Sequence, residues 1–385
     1  MRNARLVIAL VAVLALLASG ITTGTVASQD ASPEASPAPM PEPSANVSVF
    51  AEGLDNPRGL EFGPDGALYV AEGGQGGTTS TEGQCEQVIP PIGPYTGGMT
   101  ARISKIDTDG TVTTVAESLP SAQLSEAMGS LVVGMGDIAF VDGTMYALAS
   151  AGGCSHGNAD FPYSVIRVNE DGTTEIVADM SAFVQANPVA QPSEGDFEPD
   201  ENAYALEALD GQLYVIESNH GAVDRVDPAT GEISRVIDLS ATEGHLVPTT
   251  AVAGSDGNLY VSNLFIFPIT EGYSNVWMLT PQGELSAHAS GLTGVLGLAF
   301  DADGQLYALE TSGQGLEEAP IVPGTGRVVR LTESGEWEVV ATGLMFPSGM
   351  AMGEDGNLYV TNYGYGFPPG AGQVVMIDLS APLPS

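Results

Sequence analysis

Positive charge is what this sequence lacks most. Its 385 residues hold 10 Lys and Arg against 48 Asp and Glu, a formal charge of −38, and Lys105 is the sole lysine. Such a chain has no basic footprint for phosphate contacts, which argues against nucleic acid or an anionic membrane surface as a partner. The same imbalance also fits simple solubility or a salty habitat. Cysteine is nearly missing, with Cys85 and Cys154 alone. Also absent are a phosphate-binding loop, a dinucleotide fingerprint and a Gly-x-Ser-x-Gly elbow, which removes the enzyme classes built on them. No part of the repeat region sustains a helical apolar period, while Gly and Pro number 49 and 26. Together these features favour a turn-rich β protein over a helical bundle.

Arg2 and Arg5 precede an apolar run from Leu6 to Leu17, and small residues follow, the order of a secretory leader. The run is shorter than the roughly 20 residues that span a bilayer. Residues 1–27 are expected to be a signal peptide cut after Thr25-Val26-Ala27, with Ala18-Ser19-Gly20 as an earlier alternative. No cysteine lies near the cut to carry a lipid anchor, and no transmembrane segment is expected after removal. Residues 28–46, rich in Pro, Ser and Ala, read as a flexible tether, and 47–380 as the folded body. The expected product is a secreted or extracytoplasmic monomer.

One phrase recurs through that body: Asp65-Gly66-Ala67-Leu68-Tyr69, Asp142-Gly143-Thr144-Met145-Tyr146 and Asp210-Gly211-Gln212-Leu213-Tyr214. It returns at Asp256-Gly257, Asp303-Gly304 and Asp355-Gly356, each followed by x-Leu-Tyr, and the nearest copies lie 46 residues apart, Tyr214 to Tyr260. Asp-Gly supplies the positive φ of a tight hairpin, an alternating strand follows, and a second hairpin completes each copy. Four-stranded units at this period predict a six-bladed β-propeller of antiparallel blades. The last copy lacks an outer strand, and Val47–Leu54 resembles the outer strand of the fifth copy, so the N-terminal strand is expected to complete the last blade and close the ring.

Strand order puts the second-to-third and fourth-to-first connections on one face, and that face carries the long ones, Glu72 to Thr100 and Ser181 to Glu201. Variable loops on a rigid scaffold are where binding sites sit, so a small molecule or partner segment is expected there, over the central channel. Second strands reach this face at Glu72, Glu217, Asn219, Asn263, Glu310 and Asn362, and inner strands start there at Arg58, Asp137, Asn202, Thr249 and Ser348. Such a ring either caps strands or holds Ca²⁺ or another divalent cation, which takes oxygen ligands. His156, His220 and His245 map to the same face and His288 to an outer strand. His220 and His245 bracket the outer hairpin of blade three and could meet near Glu217, which makes these three candidates for acid–base chemistry. Cys85 and Cys154 fall on adjacent loops and suit a disulfide in an exported protein, with separate thiols as the alternative. Asn46-Val47-Ser48 fits the glycosylation triplet.

Asn56-Pro57-Arg58-Gly59-Leu60, the six Asp-Gly-x-Leu/Met-Tyr turns, and Pro248-Thr249-Thr250-Ala251-Val252 with Asn263-Leu264-Phe265 resemble the ScyD/ScyE family. That resemblance implies an exported, NHL-like propeller over about Val47 to Leu379, without a settled activity. Metal-dependent lactonases of the gluconolactonase type, and streptogramin lyase, are more distant relatives of similar shape. The lactonases hold a divalent cation in the channel through Glu, Asn and Asp side chains. The functions this leaves open are small-molecule binding, metal-dependent hydrolysis or lysis in the channel, and a cell-envelope interaction scaffold.

Overall fold

A computed structural model describes residues 41–193, 196, 198–265, 269–313 and 322–384. The expected signal peptide and residues 28–40 of the expected tether lie outside these. Among the described residues no helix is long and apolar enough to cross a membrane.

The strands form six antiparallel sheets, each starting with an inner strand: Pro57–Phe62, Met135–Val141, Ala203–Leu209, Pro248–Ala253, Val295–Phe300 and Gly349–Met352. The sixth sheet is completed by Val47–Leu54, which pairs antiparallel with Gly372–Ile377, so the two ends of the chain share one blade as expected. Successive inner strands contact one another around the ring, and the last contacts the first. Closure leaves no open sheet edge between the first and last blades.

The repeated phrase is explained by its turn. Asp142-Gly143 and Asp210-Gly211 place both residues at positive φ, the two-residue hairpin of a twisted strand pair. Elsewhere the aspartate also anchors the tyrosine: Tyr69, Tyr260 and Tyr359 donate to Asp65, Asp256 and Asp355 at 3.1, 3.1 and 3.0 Å. In blade five Tyr307 donates instead to Asp301 at 3.2 Å. Between blades, apolar residues of facing sheets form the core, as where Leu148, Val165, Leu206, Val215 and Val226 pack together.

Two short helices, Met180–Ala186 and Leu239–Thr242, interrupt the strands. Neither is long enough to show an apolar period in the sequence. Each is started by an aspartate, Asp179 accepting from the Ala182 N–H at 2.9 Å and Asp238 from the Ala241 N–H at 3.1 Å. The end of the expected tether is docked: the Ser44 N–H donates to the Thr342 carbonyl at 3.1 Å, and Asn46 Nδ2 to the Val340 carbonyl at 3.0 Å. Asn46 is only 6% exposed and its amide nitrogen is engaged, so this triplet offers no free acceptor for a glycan.

Candidate functional site: an unpaired carboxylate in blade three

The last residue of the second strand obeys a rule in four blades, while in blade two it is Ala149. In blades one and five it is a glutamate opposite an arginine, Glu72 facing Arg102 and Glu310 facing Arg327. Arg102 Nε donates to Glu72 at 2.7 Å, and Arg327 Nε donates to Glu310. The second carboxylate oxygens accept the Asp55 and Thr293 N–H groups at 2.5 and 2.6 Å. Blades four and six use amides: Asn263 Nδ2 donates to the Leu246 carbonyl at 3.1 Å, and Asn362 Oδ1 accepts the Met345 N–H at 2.7 Å. These four side chains clamp the second strand to the loop entering their own blade. The structure does not gather them into a ring of ligands.

Blade three breaks the rule. Glu217 occupies the same place, but its cross-strand partner is Ala222. In blade five, Gly313 leaves room for the arginine arm, since a Cβ there would lie 3.0 Å from Arg327 Cδ. The corresponding residue of blade three, again three past the glutamate, is His220. An arginine and a glycine have thus been exchanged for an alanine and a histidine, and the carboxylate keeps no guanidinium. It accepts the N–H groups of Asn219, His220 and Gly221 at 2.7, 2.9 and 3.2 Å. Potential ligand atoms of Glu201, Glu217 and His220 all lie within 4.8 Å of one another.

His220 Nδ1 contacts Glu201 Oε1, and its Nε2 lies 3.9 Å from Asp196 Oδ2. His245 Nδ1 approaches Asp196 Oδ1 at 2.9 Å. That contact is not aligned as a hydrogen bond, so Asp196 Oδ1, His245 Nδ1 and Glu201 Oε2 are buried without hydrogen-bond partners. His220 and His245 do meet near Glu217, but through Asp196 and Glu201, which sequence reasoning missed. The signal was there: residues 194–201 contain five acids, Glu194, Asp196, Glu198, Asp200 and Glu201. Burial, followed by the charge of Glu201, pushes the Glu217 carboxyl well above its ordinary range. Burial raises Glu201 to about 7 despite its bonds to Glu217 and Asn219. Two carboxyls this close titrate as a coupled pair. His220 and His245 keep 25% and 19% of their side chains exposed, so the cluster is open to solvent.

The other expected residues fall elsewhere. Asn219 braces the acidic loop, its Oδ1 accepting the Glu198 N–H at 3.3 Å. The Asn202 carbonyl accepts the Ser218 N–H at 3.2 Å. His156 is fully buried outside the cluster, stacked on Tyr95 at 5.4 Å, with Nδ1 2.7 Å from the Gly152 carbonyl and Nε2 3.3 Å from Glu198. Burial alone would lower its pKa, but Glu198, the Gly152 carbonyl and Asp200 together outweigh this and the imidazole is shifted up. Cys154, two residues away, is bridged to Cys85. The Ser155 N–H donates to Asp200 at 2.6 Å, so the bridged turn supports the loop that carries Asp196 and Glu201. His288 lies edge-on to Tyr260 at 4.8 Å.

The central channel holds a cavity of about 210 Å³ lined in part by Glu61, Asp137 and Glu207. Burial raises Glu61 to about 8, helped by Asp137, and Asp137 to about 7. Burial also lifts Glu207 well above its ordinary value. All three retain partial accessibility because they face this internal void. Thr249 and Ser348 are engaged by neighbouring blades, donating at 2.6 Å to the Val295 and Pro57 carbonyls respectively. Tyr204 of blade three donates to the Ser348 carbonyl beside blade six at 3.1 Å, a crossbar over the mouth. None of Asp196, Glu201, Glu217, His220 and His245 lines the cavity. The titratable cluster therefore stands outside this internal cavity, on the loop-rich face at blade three.

No family model matches the chain. It is 26% identical over 219 residues to a curated gluconolactonase of Zymomonas mobilis, covering 50% of this chain and 58% of that protein, so it spans less than two thirds of that relative. A gluconolactonase from Xanthomonas campestris superposes with a TM-score of 0.53 at 13% identity, covering 88% of this chain and 89% of that one. Regucalcin of Agrobacterium tumefaciens, described as a calcium-binding protein, gives 0.52 at 14% identity, with 86% and 92% covered. A Thermus thermophilus protein described as an oxidoreductase of the glucose dehydrogenase type gives 0.51 at 18% identity, with 86% and 98% covered. Likeness at these identities speaks for fold alone, and one fold serves several chemistries. In architecture the chain is a six-bladed β-propeller, the fold it shares with these proteins.

Proposed function

We propose that this chain is a metal-dependent hydrolase of lactones or related esters, working at the blade-three cluster. The observation that carries the reading is Glu217, which keeps the carboxylate of the repeat, lacks its arginine, and meets Glu201 and His220 instead. A cation is the missing partner. The buried, unpartnered Glu201 Oε2 fits one, and Glu201, Glu217 and His220 are the residues that would hold it, with Asp196 and His245 beside them. An imidazole among carboxylates suits Zn²⁺, Mn²⁺ or Fe²⁺ better than Ca²⁺, which takes oxygen ligands. When bound, such an ion polarises a carbonyl and acidifies a water.

The chain's own groups do the rest. With Glu201, Glu217 and His220 committed as ligands and therefore deprotonated, His245 beside Asp196 is the group that can accept a proton from attacking water and return one to the departing oxygen. Asp196 orients His245, and the exposed edges of both histidines face incoming substrate. The name of the Zymomonas relative supports a lactone as substrate class. The test is glucono-1,5-lactone hydrolysis followed by pH-stat, with and without a chelator. Chelation and Glu217→Gln are expected to lower turnover by about 10²-fold or more. Turnover unchanged by both would contradict the reading.

Export is proposed on separate grounds: the leader-like N-terminus, and a disulfide, which persists in oxidising compartments. Within this architecture we further propose membership of the ScyD/ScyE group, on the phrases around Arg58, Thr249 and Asn263.

A further inference from the structure

Cations are scarce in this chain, and nearly all are committed. Among the described residues Arg102, Lys105, Arg167, Arg235, Arg327 and Arg330 each contact a carboxylate. Arg225 donates to Ser234 at 3.2 Å on an outer hairpin. Arg58 alone stands at the channel mouth with no carboxylate against it.

Its surroundings are polar but neutral. Nη2 donates to the Val132 carbonyl at 2.7 Å and Nη1 to the Gly364 carbonyl, while the guanidinium lies over the Tyr365 ring at 5.7 Å. Its Nε–H and remaining Nη N–H groups bond to no described residue. Carbonyls and a ring face do not neutralise a charge, and a desolvated charge without a counterion is costly. The carboxyls deeper in the channel do not offset it, since burial biases Glu61 and Asp137 toward holding protons. Hydroxyls border the guanidinium: Tyr204 with the Ser348 carbonyl, and Tyr365 with Thr311.

We propose that Arg58, with Tyr204 and Tyr365, forms a subsite at the channel mouth for the carboxylate of a small hydroxy acid. The two carbonyl bonds fix the guanidinium plane, and its free N–H edge presents the fork that a carboxylate accepts in bidentate fashion. The tyrosine hydroxyls meet the hydroxyl groups of the same ligand. The subsite rests on the geometry of the mouth and stands apart from blade three. The two are chemically compatible, because water added across a lactone ester bond yields a hydroxy acid.

The test is calorimetry on metal-stripped protein kept in chelator, with sodium gluconate, inorganic phosphate and uncharged glucitol as probes. Wild type should bind gluconate more tightly than the other two, and Arg58→Gln should weaken gluconate at least about tenfold. Tyr204→Phe, which leaves the guanidinium clasp in place, should weaken it several-fold, so the proposal stays testable if Arg58→Gln fails to fold. A loss of gluconate affinity in Glu217→Gln matching that in Arg58→Gln would place the ligand at blade three and overturn the subsite, which separates this result from the fate of the blade-three reading. Absence of gluconate binding by wild type, equal binding of phosphate or glucitol, or full affinity in a folded Arg58→Gln would overturn the proposal.

Discussion

The same substitution made at one repeat position in three blades should have opposite signs. Glu310→Gln and Glu72→Gln leave Arg327 and Arg102 without their buried partners, and breaking such pairs costs about 3–5 kcal/mol when fully buried. These arginines are 31% and 28% exposed, so about 1–3 kcal/mol is the expected loss. Glu217→Gln removes no ion pair to an arginine. It keeps one acceptor oxygen, which can serve the His220 and Gly221 N–H groups at the expense of the Asn219 N–H, and it relieves a carboxyl that lies within 4.8 Å of Glu201. Two charges at that separation repel by about 3 kcal/mol at an effective dielectric near 20. The metal-free protein should therefore gain up to about 3 kcal/mol from Glu217→Gln at pH 8. The gain depends on pH with a definite sign. Both carboxyls have raised folded-state values, so their protonated form is favoured in the native state and costs nothing at low pH. The advantage of the variant should vanish near pH 5 and grow through neutrality. Urea unfolding in chelator at pH 5 and 8 reads it directly. Loss of stability in Glu217→Gln at pH 8, matching Glu310→Gln, would refute the idea that Glu217 lacks a paired cation.

Three further outcomes follow from the same contacts. Ala222→Arg combined with His220→Gly rebuilds the blade-five arrangement, and should keep the fold while abolishing metal uptake and lactone turnover; retained uptake by elemental analysis would contradict it. The channel carboxyls, raised to about 8 for Glu61 and about 7 for Asp137, contribute stability that is complete below about pH 4 and fades as pH climbs to 8. Glu61→Gln should flatten this decline in thermal melts, and an unchanged slope would count against the raised value. The Cys85–Cys154 bridge closes a sequence separation of 69, so Cys85→Ser/Cys154→Ser should lose about 2–4 kcal/mol in chemical unfolding; no loss would mean that the loops are held by their other bonds.

The propeller was legible because each blade repeats a turn whose chemistry is local. Asp-Gly dictates the backbone, and in blades one, four and six the tyrosine four residues on returns a hydrogen bond to the aspartate. The closing strand was legible because Val47–Leu54 copies an outer strand. The site was only half legible. Glu217, His220 and His245 stand out as residue types, but Glu201 and Asp196 enter through a connection with no repeat to align it. The clamping role of Glu72, Glu310, Asn263 and Asn362 depends on which backbone N–H or carbonyl each reaches, which residue type does not reveal. The comparison that separates clamp from site is cross-strand register: Arg102 and Arg327 have Ala222 as their counterpart, and register appears only once the strands are paired.

The most direct measurement is elemental analysis joined to native mass spectrometry of the purified protein and its Glu201→Gln/Glu217→Gln variant. One transition-metal ion per chain in the former and none in the latter is the predicted result. Metal-free wild type that takes up neither Zn²⁺ nor Mn²⁺ on titration, or a variant that retains the ion, would contradict the assignment of blade three as the reactive centre.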